Sequence, residues 1–79
     1  MTNLEKYQQI FIDLFSVSAE TLEVGFTFRD QSQWDSLAHM QLIGELEDTF
    51  DIFFESDDIL NYGSYSNGKK ILKRYGVEL

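Results

Sequence analysis

Apolar residues recur at helical spacing in separate stretches of this chain, with polar intervals between them. Leu4, Tyr7, Phe11, Leu14 and Phe15 repeat every three or four residues, which predicts an amphipathic helix over about 3–15 with Asn3 as its N-cap. A second helix is expected over about 36–50. Its Leu42, Ile43, Leu46 and Phe50 share one face with His39, so that face should pack on the core. Leu37, Gln41, Gly44 and Asp48 fall on the opposite side, bordered by Met40, Glu47 and Asp51. Farther on, Ser56-Asp57-Asp58 reads as the cap and first turn of a short helix ending near Asn61, and Tyr62-Gly63-Ser64-Tyr65 reads as a turn. Ser66 or Asn67 then caps a last helix with Ile71, Leu72 and Tyr75 inward, and Gly76 stands at its C′ stop.

Residues 16–34 carry no such period. They read as a long connection with apolar anchors at Val17, Leu22, Phe26 and Phe28, and a connection of that length is usually functional or hides an element. Val24 to Phe28 alternates enough for a short strand, yet no partner strand is visible and a lone strand is unstable.

With 79 residues, one domain (1–79) with a small core is expected, too small for a substrate cavity with its own catalytic machinery. Cysteine is absent, which excludes a disulfide framework, a thiol nucleophile and a Cys-type zinc site. The beginning of the sequence has no basic region followed by an apolar run, and no stretch approaches membrane-spanning length, so a cytoplasmic chain is the default. Charge is lopsided as well as negative, at −8. Nine acidic residues and no Lys or Arg lie between Asp30 and Asp58, whereas Lys69, Lys70, Lys73 and Arg74 crowd the last helix. Nucleic acid is a disfavoured partner for such a surface, and a basic protein is a favoured one.

Candidate chemistry centres on Ser36, in Trp34-Asp35-Ser36-Leu37, where the long connection meets the second helix. A phosphate ester is well tolerated at a helix start, because unpaired N–H groups and the positive end of the helix dipole favour an anion. The simpler role for Asp35 or Ser36 is an N-cap. His39, the single histidine, lies three residues from Ser36, but nothing supplies the orienting group and oxyanion donors that a serine hydrolase needs. His39 therefore reads as a structural residue of the core face, with a place at the mouth of a surface crevice as the alternative. The acids of Asp48 to Asp58 lack the order and closing glutamate of a calcium loop, so no metal site is expected.

Asp35-Ser36-Leu37 followed by Met40, Leu42-Ile43, Leu46-Glu47-Asp48 and Phe50-Asp51 resembles the phosphopantetheine-attachment motif and second helix of acyl carrier proteins. Phe28-Arg29-Asp30 leading into Trp34 is similar to the loop before the motif in stand-alone carriers, distantly including D-alanyl carrier proteins. The resemblance implies an all-α, four-helix bundle with three major helices and a short third one. It also implies a non-enzymatic carrier, with 4′-phosphopantetheine esterified to Ser36 and cargo held as a thioester on the thiol of that arm. The implied partners are a phosphopantetheinyl transferase, which would hold its own magnesium, an acyl- or aminoacyl-loading ligase, and acyltransferases or synthases with basic surfaces. Asp35, Leu37, Met40, Gln41, Gly44, Glu47 and Asp48 are the motif and docking candidates. Ala38, Gln41 and Gly44 depart from the housekeeping fatty-acid members, which points to a specialised carrier; lipid or polysaccharide modification, secondary metabolism and aminoacyl transfer all fit. The competing reading is a small acidic helical interaction module with no prosthetic group.

Overall fold

The computed structural model describes residues 2–79. Among them are five helices: α1 (Asn3–Phe15), α2 (Ala19–Gly25), α3 (Ser36–Phe50), α4 (Ser56–Leu60) and α5 (Tyr65–Arg74). The all-α bundle expected from the sequence is present, with α2 as an additional short helix.

Local hydrogen bonding explains each boundary that differs from expectation. The cap of α1 is Thr2, not Asn3: its hydroxyl accepts from the Glu5 N–H (3.1 Å) while the Glu5 carboxylate accepts from the Thr2 N–H (2.9 Å). Those bonds form a reciprocal capping box and hold the Glu5 carboxyl below the usual range. Asn3 instead donates its side-chain amide to the Glu78 carbonyl, tying α1 to the segment after α5. Within the connection, Ser18 caps α2 by accepting from the Thr21 N–H. Leu22 is the one buried residue of this seven-residue helix, so no periodicity advertised it. Val24 and Gly25 belong to α2, and in keeping with the absence of a partner strand only a single bridge forms there, between Thr27 and Ser64. There the Phe28 N–H donates to Gly63 and the Tyr65 N–H to Phe26. Glu55 is the N-cap residue of α4, so Ser56 is its first helical residue and not its cap. The cap of α5 is Ser64, not Ser66 or Asn67; Asn67 donates its amide to the Asn61 and Tyr62 carbonyls and secures the turn that precedes the helix.

Packing is dominated by aromatic side chains. Tyr7, Phe11 and Phe15 form one buried stripe on α1, which packs against α2 and α3, and α2 in turn meets α5. Phe11 meets Trp34 edge-on at 5.6 Å between ring centroids, and Phe26 stacks on Trp34 at 5.5 Å, so the connection is anchored by its two largest apolar residues. Tyr7 donates to the Tyr65 carbonyl (2.7 Å), which leaves its oxygen to accept from the Tyr62 hydroxyl (2.8 Å). Burial pushes both hydroxyls well above the ordinary tyrosine value. Gly68 faces this pair so closely that a Cβ there would overlap both oxygens.

Candidate functional site

Ser36 is the first residue of α3 and is exposed. Trp34, two residues earlier, is buried in the aromatic core, so the chain is pinned just before the motif and turns outward at Asp35. Asp35 does the capping: its carboxylate accepts from the Ala38 N–H (2.9 Å) and its carbonyl from the His39 N–H (2.8 Å). The Ser36 hydroxyl is thereby released from the capping role that a serine at a helix start often takes.

His39 is tied to the core and also borders a surface crevice. It is half-buried, and its Nδ1 accepts from the Trp34 indole N–H (3.0 Å), a group that can only donate. Nε2 therefore carries the proton and donates to the Ile59 carbonyl (2.8 Å), so one ring joins the loop before α3 to α4. The same ring lines a surface crevice of about 400 Å³ beside Ser36, shared with Phe28, Met40, Ile59, Leu60 and Gly63. Phe28 meets the imidazole edge-on at 5.6 Å. Trp34 as the partner of His39, and the contributions of Phe28, Ile59, Leu60 and Gly63, were not legible in the sequence, since they come from three segments joined only by the fold.

The docking candidates divide between two sides of α3. Leu37 is 73 % exposed beside Ser36, and Met40, 56 % exposed, borders the crevice. Gln41, Gly44 and Asp48 line a groove of about 690 Å³ between α1 and α3, together with Lys6, Gln9, Ile10, Asp13, Leu14, Glu45 and Thr49. Glu47 turns away from that groove: its carboxylate accepts from the Phe54 N–H (3.0 Å) and holds the segment leading to α4. Asp51 closes α3 in the left-handed conformation, with φ of 54°.

Similarity to known proteins agrees with this geometry. The acyl carrier protein of Streptococcus thermophilus is 41 % identical over 61 residues, which cover 77 % of this chain and 81 % of the relative. Acyl carrier proteins of Streptococcus pyogenes serotypes M3 and M1 are 38 % identical over the same shares. This chain belongs to the acyl carrier protein family. No family model matches it, and no solved structure does. Acyl carrier proteins are carriers and not enzymes, and they generally bear a phosphopantetheine arm. The residues present fit such a group: the serine is exposed at the first residue of α3, and its hydroxyl is spared from capping because Asp35 takes that role. Among the described residues no cluster of His, Asp or Glu could hold a metal ion, and no helix is long and apolar enough to cross a membrane.

Proposed function

We propose that this chain carries acyl cargo on a 4′-phosphopantetheine arm esterified to Ser36, and that a phosphopantetheinyl transferase installs the arm from coenzyme A. The observation that carries the reading is the exposed hydroxyl at the first residue of α3, within Asp35-Ser36-Leu37 and relieved of capping by Asp35. In the transfer, the Ser36 oxygen bonds to phosphorus as the pyrophosphate bond of coenzyme A breaks; adenosine 3′,5′-bisphosphate leaves and the serine proton passes to a base of the transferase. Once bound, the arm supplies a thiol that holds the cargo as a thioester. The chain's own residues position and present it: Asp35 fixes the helix start, while Leu37 and Met40 offer apolar contact around it.

Glu45 and Asp48, both exposed on α3, steer basic partners, namely the transferase, a loading ligase, and an acyltransferase or synthase. Gln41 and Gly44, in place of residues common in fatty-acid elongation carriers, support a specialised pathway in the cytoplasm, with acyl or aminoacyl cargo. Incubation with a broad-specificity transferase and coenzyme A should add the mass of one arm, at a rate that falls as salt rises, because exposed charges are screened beyond about 8 Å at physiological ionic strength. An unmodified chain after trials with several transferases would leave a helical interaction module as the function.

A further inference from the structure

His39 stands between the crevice beside Ser36 and the interior, and both of its ring nitrogens are engaged, one with the Trp34 indole and one with the Ile59 carbonyl of α4. Trp34 and Tyr62 lie behind the ring, both essentially buried, with centroids 6.0 and 5.9 Å from that of the imidazole. An aliphatic chain passing from the crevice between α3 and α4 would have to part His39 from Ile59 and displace the closely packed Trp34 and Tyr62 rings. It would leave a ring N–H and a backbone carbonyl without partners in an apolar setting, which opposes entry. Outside this barrier the crevice wall is apolar, made by Phe28, Met40, Ile59 and Leu60, the last of them 81 % exposed.

We propose that His39 is a specificity-determining latch: it confines the cargo of the Ser36 arm to short apolar acyl groups lodged at the surface and excludes long aliphatic chains from the interior. The inference rests on attachment at Ser36. It is tested by letting the transferase install arms already loaded with butanoyl or dodecanoyl groups from the corresponding acyl-coenzyme A. Trp34 is the single tryptophan, so its indole N–H gives one unambiguous NMR signal next to the latch. In the wild type that signal and the thermal midpoint should be the same for the unloaded, butanoyl and dodecanoyl forms. The Met40 methyl signal should move with butanoyl, and hydroxylamine should cleave both thioesters at equal rates. In His39→Ala, dodecanoyl alone should raise the midpoint and slow cleavage several-fold; His39→Gln serves if that variant does not fold. A wild type in which dodecanoyl shifts the Trp34 signal and slows cleavage several-fold overturns the latch while leaving attachment intact. Chain-length independence in the folded variant overturns the assignment to His39. If no loaded arm appears on the wild type, attachment at Ser36 fails and the latch fails with it.

Discussion

The two sides of α3 face regions held together by different forces. On the α1 side, Tyr7, Phe11 and Phe15 bury whole aromatic faces against Phe26, Trp34 and Tyr65. On the α4 side, none of the five helical residues is fully buried, Ile59 packs partly against the core, and polar ties supply much of the rest. His39 reaches the Ile59 carbonyl, Asp58 accepts from Arg74 and from the Tyr75 hydroxyl (2.6 Å), and Glu47 holds the Phe54 N–H. Apolar burial is collective, because each contact depends on close packing around it, whereas polar ties can be released one at a time. The crevice beside Ser36 thus has one firm wall, set by the core, and one wall whose position depends on individual hydrogen bonds.

Substitutions on the aromatic side should therefore cost most. Gly68→Ala would force a methyl group onto the Tyr7 and Tyr62 hydroxyls and should destabilise by about 3 kcal/mol or more, read from denaturant unfolding. Tyr7→Phe removes the donor to Tyr65 and the acceptor for Tyr62, and about 1–3 kcal/mol should be lost. The same pair sets an alkaline limit. Both hydroxyls have folded values raised by burial, so their contribution is complete below about pH 10 and is lost as pH rises and the unfolded tyrosines ionise. Wild-type stability should fall steeply above about pH 10, and Tyr7→Phe should flatten that fall.

On the α4 side the expected effects are smaller and separable. Glu47→Lys should cost about 1 kcal/mol, because the Phe54 N–H loses its acceptor, whereas Asp48→Lys should leave stability unchanged and slow modification by the transferase. Equal behaviour of the two variants would erase the distinction between a structural and a steering carboxylate. Asp58→Asn should lower stability only slightly and show the clearest pH signature. Bonds from Tyr75 and Arg74 hold the Asp58 carboxyl below the usual range, so its contribution is complete above about pH 4 and is lost as pH falls through the depressed folded value. The small gap in thermal midpoint between wild type and Asp58→Asn at about pH 7 should narrow by about pH 3; a gap that is constant with pH would mean that the tie contributes nothing.

Legibility in the sequence follows the same division. The bounds of α1 and α3 could be read because each spans three or four turns and repeats its apolar residues at helical spacing. Helix α2 could not, since seven residues with one inward Leu22 leave no period to detect; the cap residue Ser18, with Thr21 three positions on, was the available sign. Thr2 and Glu5 do carry a capping-box signature, and the more central Asn3 obscured it. The place of Asp35-Ser36-Leu37 at the start of α3 was legible because the motif is local. The latch was not: Trp34, His39 and Ile59 belong to a loop and two helices, and a single histidine on an apolar face carries no sign of which atoms it will meet.

Carrier function depends most directly on attachment of the arm at Ser36. After reaction with transferase and coenzyme A, proteolytic fragments of the chain should carry the added mass on the peptide containing Ser36, and Ser36→Ala should gain none while keeping its helical spectrum. Added mass on Ser32, Ser56, Ser64 or Ser66, or persisting modification in Ser36→Ala, would contradict it.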